Sequence, residues 1–285
     1  MLDVTDPGHY CVFWYRSVPL GESYLLLSDA IAPEAFWKKC LQAIASSLEM
    51  YAAKENRPLS LSSLSPDPVS IRTACARILE DFHPQILPQR CDVSVVICTR
   101  NRAGYLKNCL ESLRDQVCQP AEVIVVDNGS DTDETAKVAS GFNVRYIRED
   151  TRGLDVARNT GARAATGAIV AFTDDDTLPD KLWVYRIYET FRDPKIAAMT
   201  GLVIAASLDT EAEVIFEKFW PFNRGYRDKI FDSQFFRARL DDGPPVWEIG
   251  AGANMAFRKE IFDEVGYFDE RLDVGAAGCS GDSEL

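Results

Sequence analysis

The sequence predicts an α/β protein: an open, mostly parallel sheet with helices on both faces, preceded by a small α+β unit. Three observations carry this reading. Two near-continuous apolar runs, VSVVICT (93–99) and VIVVD (123–127), are separated by about one helix length, as parallel strands covered on both faces require. Strand-like and helix-like patterns alternate from Asp92 onward. Before Asp92 the order differs, with a run rich in aromatic and β-favouring residues followed by helical periodicity. The expected division is therefore a unit over 1–90, without visible chemistry, and a larger domain over 91–285.

Taken in order, CVFWYRSVPLGESYLLL reads as two strands joined by a turn at Pro19-Leu20-Gly21. From Pro33 to about Tyr51, apolar residues recur at Phe36, Cys40, Ile44 and Leu48. After the Ser/Pro-rich LSLSSLSPDP, a second helix shows Ile71, Cys75, Ile78 and Phe82. Beyond VSVVICT, Leu106, Leu110, Leu113 and Val117 mark one helix face, and VIVVD completes a βαβ unit. A strand is expected at 144–147, then a helix from about Asp155 to Ala165 with Gly167 as its left-handed C-terminal cap. AIVAFT (168–173) forms the next strand. A helix opening with Pro179 and carrying Trp183, Ile187 and Phe191 leads to a strand-like MTGLVI (199–204).

The 285 residues give room for a substantial core, and 46% apolar with 26% charged residues excludes extensive disorder. A net charge of −13 repels phosphate backbones and anionic lipid, so a nucleic-acid or membrane-surface partner would need a local basic patch. The eight cysteines form no C-x-x-C pair and do not cluster with the two histidines, His9 and His83, so zinc spacing is absent. Cys98 and Cys109 sit among apolar neighbours, which suits buried free thiols and a reducing compartment. No apolar run reaches the ~18 residues of a membrane span, and the acidic start MLDVTD is unlike a signal peptide. The expected location is cytoplasmic, at most peripheral to the inner face of the membrane.

Ligands of open α/β sheets bind beyond the carboxyl ends of the strands. Three such ends agree here: Thr99-Arg100-Asn101-Arg102, Asp127-Asn128-Gly129-Ser130-Asp131 and Asp174-Asp175-Asp176. Three adjacent carboxylates repel one another, a cost that a divalent cation relieves; Mg²⁺ or Mn²⁺ suits hard oxygen ligands completed by substrate phosphates. Alternation along an extended turn places Asp174 and Asp176 on one side and Asp175 on the other. Asp176 is assigned to the metal and Asp174 to the metal or a ribose hydroxyl, against the alternative of a solvated acidic turn capping the next helix. Asp127 can accept from a nucleobase N–H or a ribose hydroxyl, or simply start an Asx turn. Arg152, Arg158 and Asn159 precede the aspartate strand, where a guanidinium pairs with phosphate or stands as an exposed helix arginine. Neither G-x-G-x-x-G after the first buried strand nor G-x-x-x-x-G-K-[ST] occurs. Residues 205–247, with EKFWPFNRGYRDK, are expected to shape the acceptor side or to pack as plain core.

Over about two thirds of its length, the text SVVICTRNR, EVIVVDNGSDT, GLDVARNTGARAATGAIVAFTDDDT, GAGANMAFRKEIFDEVGYFDERL and GDSEL resembles the family 2 glycosyltransferases of the GT-A fold, bacterial members in particular. The resemblance implies inverting transfer from a nucleoside-diphosphate sugar to an acceptor hydroxyl on a sugar, lipid-linked sugar or small molecule, in polysaccharide or glycoconjugate synthesis. It assigns Thr99 and Asn101 to the nucleotide edge, Asp127 to the base, and the DxD pair Asp174 and Asp176 to ribose and to Mg²⁺ or Mn²⁺; Arg152, Arg158 and Asp175, read from their positions, complete the expected nucleotide-sugar site. It assigns Gly252, Ala253 and Asn254 to the acceptor side. It places Asp282 as the catalytic base, with Gly281 where the family has glutamate, and it implies further helix beyond residue 285. Two alternatives stand beside it: a non-catalytic or truncated nucleotide-sugar binder, and a haloacid-dehalogenase-type phosphatase using Asp174 as nucleophile. The eleven acids against three bases over 241–285 favour a neutral hydroxyl acceptor.

Overall fold

The computed structural model describes residues 8–26, 33–238, 243 and 245–272. In chain order, β1 (Gly8–Tyr15) and β2 (Val18–Leu26) are followed by α1 (Pro33–Lys54) and α2 (Pro68–Leu79). Then come β3 (Arg90–Thr99), α3 (Ala103–Arg114), β4 (Gln119–Asp127), α4 (Glu134–Ser140), β5 (Arg145–Arg148), α5 (Leu154–Ala164) and β6 (Ile169–Asp174). The remainder comprises α6 (Trp183–Thr190), β7 (Ala198–Thr200), α7 (Glu211–Phe219), α8 (Ser233–Arg237), β8 (Asn254–Arg258) and α9 (Ile261–Val265). The chain divides into two compact units. One takes the residues up to Ile86 together with Ser207–Asp232, and the other takes Leu87–Ala206 with the residues from Ser233 on. The expected division near residue 90 treats everything after it as one domain, whereas Ser207–Asp232 groups with the first unit.

In the first unit, β1 and β2 pair antiparallel. The chain reverses at Arg16, whose φ of 51° is left-handed, and not at Pro19-Leu20-Gly21 as the sequence suggests. Pro19 lies within β2, beside a register shift between Phe13 and Trp14. A proline donates no ladder bond, so it is tolerated at a bulge in a two-stranded ribbon, where every strand is an edge. Helix α2 starts as SPDP dictates: the Asp67 carboxylate accepts from the Val69 and Ser70 amides (2.9 Å each), and Pro68 follows in the first turn. Val18, Leu20, Ile44, Leu48, Ile71, Cys75 and Ile78 form the unit's core.

A buried polar cluster ties Ser207–Asp232 into this unit. Glu22 accepts from the Tyr10 hydroxyl, from Asn223 Nδ2 (2.7 Å) and from the Tyr226 hydroxyl (2.8 Å). Tyr10 also lies 3.4 Å from Glu217, which is 8% exposed. Burial, reinforced by the neighbouring Glu22 charge, raises the Glu217 pKa above the usual carboxylate range. A carboxyl whose folded pKa is raised favours the native state below its unfolded pKa, and that contribution is lost as pH rises through the folded value. Glu217→Gln is therefore expected to raise the melting temperature at about pH 8 and to give no gain near about pH 4. Thermal melts at the two pH values check this, and an equal gain at both would contradict it.

The second unit contains a six-stranded sheet of order β5-β4-β3-β6-β8-β7. β5, β4, β3 and β6 run parallel, whereas β8 is antiparallel to both β6 and β7. Helices cover both faces, as the sequence predicts. On one side Val93, Val95 and Ile97 pack with Leu106, Leu110 and Leu113 of α3 and with Val184 and Ile187 of α6. On the other, Val96, Val126, Val170 and Phe172 pack with Ala157 and Ala162 of α5 and with Phe262 and Phe268. Period-two alternation along β3 thus feeds both layers. Gly161 allows α5 to approach closely, because a Cβ there would collide with the stiff Val96 side chain.

Several local expectations change. β8 is an extra strand: NMAFR has only three fully buried residues and follows Gly-Ala-Gly, so its sequence reads as loop. Of the strand expected over 199–204 only Met199 and Thr200 pair, together with Ala198 before them, after which Gly201 N donates to Asn254 O (2.9 Å). Val117, past the end of α3, is 50% exposed. Gly167 is not left-handed; its amide donates to Ser94 Oγ (2.8 Å), which anchors the entry to β6. Cys98 and Cys109 are free thiols, but Cys91 and Cys118 form a disulfide with Cα atoms 6.5 Å apart. The parallel register sets Cys91 opposite Pro120, which brings Cys118 within reach.

Candidate functional site

The ends of β4, β3 and β6 lie side by side. Thr99 faces Asp127 across one ladder and Cys98 faces Asp174 across the other. The Thr99 and Asp174–Asp176 loops therefore meet. Thr99 Oγ1 donates to Asp175 Oδ2 (2.7 Å), and both side chains are buried. Arg102, just past the same strand, places one guanidinium nitrogen on Asp175 Oδ1 (3.0 Å) and the other on Asp176 Oδ2 (2.6 Å), with its plane over Tyr105 at 4.6 Å. Burial raises the Asp175 pKa, against the Thr99 bond and the Arg102 charge that lower it. Arg102 is missing from the residues singled out by sequence; its place in the same Thr-Arg-Asn-Arg run is the signal that could have found it.

Asp176 is exposed beyond this anchor, and Asp174 is half-buried. The Asp174 carbonyl accepts from Thr177 Oγ1 (2.9 Å), which holds the aspartate turn closed. The two carboxylates that alternation assigns to a cation supply hard oxygen donors, the set that Mg²⁺ and Mn²⁺ prefer. Among the described residues no group of three or more His, Cys, Asp or Glu side chains could hold a metal. A cation at Asp174 and Asp176 would take its other ligands from water and phosphate oxygens, as Mg²⁺ usually does. Beneath them, burial pushes the Cys98 and Cys109 thiols up to about 12, so neither supplies a thiolate nucleophile near neutral pH.

Asn101 is left-handed, with φ 57°, a conformation asparagine tolerates better than most residues. Reciprocal bonds fix it: its Nδ2 donates to Asp131 Oδ2 (2.7 Å), and the Asp131 amide donates to its Oδ1 (2.8 Å). Asp127 is fully buried, accepting from the Ser130 amide (3.0 Å) and the Tyr146 hydroxyl (2.7 Å). Oδ1 thus holds the Asp-Asn-Gly-Ser turn, as the carboxylate of an Asx turn does, while Oδ2 is tied to β5. Arg152 is exposed, 3.7 Å from Asp131. Arg158 is buried, paired with Asp155 at 2.9 Å and set 5.6 Å from the Phe268 ring, so it is not the exposed helix arginine of the alternative reading.

Asn159, also buried, exchanges two bonds with the Phe268 backbone (2.9 and 3.0 Å) and donates to Glu270 (2.9 Å). Antiparallel pairing of Asn254 with Thr173 brings Gly252 and Ala253 beside the exit of β6. The Asn254 amide is itself engaged: it accepts from Trp183 Nε1 (2.9 Å) and donates to Leu202 O (3.0 Å). Asp282 and Gly281 lie outside the described residues.

Residues 94–266 match the family described as Glycosyl transferase family 2, which is more than half of the chain. The chain belongs to glycosyltransferase family 2. The match sets aside the haloacid-dehalogenase alternative. Relatives of this family 2 chain include the glucosyl-dolichyl phosphate glucuronosyltransferase of Haloferax volcanii, 27% identical over 62% of this chain and 56% of that protein. Glycosyltransferase AglE of the same organism is 29% identical over 64% of this chain and 58% of its own length. The chain thus spans a little over half the length of these curated relatives. Among solved structures, the mannosyltransferase PcManGT from Pyrobaculum calidifontis, in complex with GDP-Man and Mn²⁺, aligns with a TM-score of 0.46 and 24% identity over 70% of this chain and 54% of its own. Among the described residues no helix is long and apolar enough to cross a membrane.

Proposed function

We propose that the chain carries the donor site of an inverting glycosyltransferase, moving a sugar from a nucleoside-diphosphate sugar to an acceptor hydroxyl in glycoconjugate or polysaccharide synthesis. One observation supports it most directly: Asp174 and the exposed Asp176 stand at the carboxyl edge of the sheet on a turn locked by Thr99, Asp175 and Arg102. Asp174 and Asp176 would hold Mg²⁺ or Mn²⁺, which when bound supplies Lewis acidity to the leaving diphosphate. Thr99 and Asn101 shape the nucleotide edge, Asp127 keeps its turn rigid, and Arg152 offers an exposed guanidinium to phosphate. Arg158, buried against Asp155, positions α5, the helix that carries Asn159. Gly252 and Ala253, with no side chain beyond a methyl, leave room for an acceptor beside Asp174, and Asn254 fixes that backbone. Asp282 would accept the acceptor hydroxyl proton as its oxygen attacks the anomeric carbon. We place the chain in the cytoplasm, a reading that the five free cysteines among the described residues support and that the Cys91–Cys118 bond, of a kind rare in that compartment, opposes.

A melting panel of nucleoside diphosphates and their sugars, each with Mn²⁺, with Mg²⁺ and with EDTA, tests this reading. A ligand at about 100 times its Kd stabilises by about 2.7 kcal/mol, a shift of roughly 5 °C or more for a chain of this size. The expected result is a shift with one nucleobase, only when the cation is present. Equal shifts in EDTA, or none with any nucleotide, would overturn it.

A further inference from the structure

Helix α7 is built inside out. It buries Glu217 and leaves Phe216 44% and Phe219 67% exposed, and the chain continues through Trp220 at 73% and Phe222 at 49%. The Phe216 and Phe222 rings lie 5.4 Å apart, so the apolar face is continuous around the C-terminal end of the helix. Contiguous exposed apolar surface of this kind marks a contact site. A core-packing role for the aromatics of EKFWPF, one of the two readings their sequence allows, does not fit these exposures.

The charges around the face identify what it meets. The chain as a whole is acidic, at −13, yet between Val214 and Phe231 four bases stand against two acids. Both acids are engaged: Glu217 is buried against Tyr10, and Asp228 pairs with Lys54. Arg227 and Lys229 are exposed, and Lys218 lies 4.9 Å from the Phe219 ring. Along the sequence these bases alternate with tryptophan and phenylalanine, a local excess of positive charge, bounded by Glu213 and Asp232, that the overall composition lacks. That combination suits the interface of an anionic bilayer, where aromatic rings sit at headgroup level and each nearby base adds attraction. The acids Glu211 and Glu213 occupy the other end of α7, where Glu213 closes a capping box with Thr210, so they would stay in water.

We propose that the face around Phe219 and Trp220 docks on an anionic lipid surface, with Lys218, Arg227 and Lys229 against the headgroups. The inference goes beyond the donor-site reading and stands or falls apart from it. Its test is co-sedimentation of the full chain with phosphatidylcholine vesicles, with and without phosphatidylglycerol. Binding is expected only to the anionic vesicles. Phe219→Ser with Trp220→Ser should abolish it, and Lys218→Gln or Lys229→Gln should weaken it by about fivefold each. Because these side chains are at the surface, melting temperatures should stay unchanged. Failure of the unmodified chain to bind anionic vesicles would overturn the proposal, as would equal binding by the variants. A concentration-dependent dimer dissolved by the same substitutions, without lipid binding, would assign the face to a second copy and overturn it too.

Discussion

Asp176→Ala should abolish the cation-dependent part of donor binding and lower transfer by roughly 10²–10³-fold, the scale of losing one electrostatic contact to a developing charge. Its protein partner, Arg102, is 42% exposed in its side chain, and Asp176 is 43% exposed. An ion pair that open to solvent contributes about 0–1 kcal/mol, so the melting temperature without ligand should barely move. Calorimetric titration of donor with and without Mn²⁺, alongside melting curves, separates the two effects. Undiminished Mn²⁺-dependent affinity in the variant would remove Asp176 from the cation site.

Asp175→Ala should behave in the opposite way, with a stability loss of about 2 kcal/mol. Asp175 is almost wholly buried, and its removal leaves the Thr99 hydroxyl and one arm of Arg102 without their partner. The figure lies below the 3–5 kcal/mol of a fully buried pair because the exposed guanidinium can turn to water. Asp175→Asn should recover most of the loss, since an amide oxygen still accepts from Thr99. Denaturant unfolding of both variants checks this. A positioning role further requires weaker donor binding in the alanine variant, with recovery in the asparagine variant.

The central strands were legible because burial on both faces leaves an apolar run that only a parallel core strand needs, as in VSVVICT and VIVVD. The strand-end polar residues were legible for the same reason: topology alone brings Thr99, Asp127 and Asp174 to one edge. What could not be read depends on partners distant in sequence. Arg102 meets Asp176 across 74 positions, and nothing local distinguishes it from Arg100. The Cys91–Cys118 bond follows from the register of two parallel strands, which spacing does not reveal. β8 is not legible because NMAFR, set between a glycine-rich turn and Lys259-Glu260, shows neither strict alternation nor a long apolar run. Glu217 inverts the ordinary rule, since a carboxylate in a helix predicts a wet face until Tyr10, from the distant strand β1, is set beside it.

The order of the sheet has a consequence for how the protein behaves at high concentration. Its two outer strands, β5 and β7, have four and three residues, against ten and nine for the β3 and β4 strands they flank or lie beyond. An outer strand exposes unpaired amides and carbonyls that can template another chain, and the number on offer scales with its length. In this sheet the rim is too short to recruit a stable extra strand, so the longer open edges are those of the β1–β2 ribbon, with eight and nine residues. The long apolar runs that favour amyloid-type stacking are enclosed in the middle of the sheet, so fibre growth through them would first require the second unit to open.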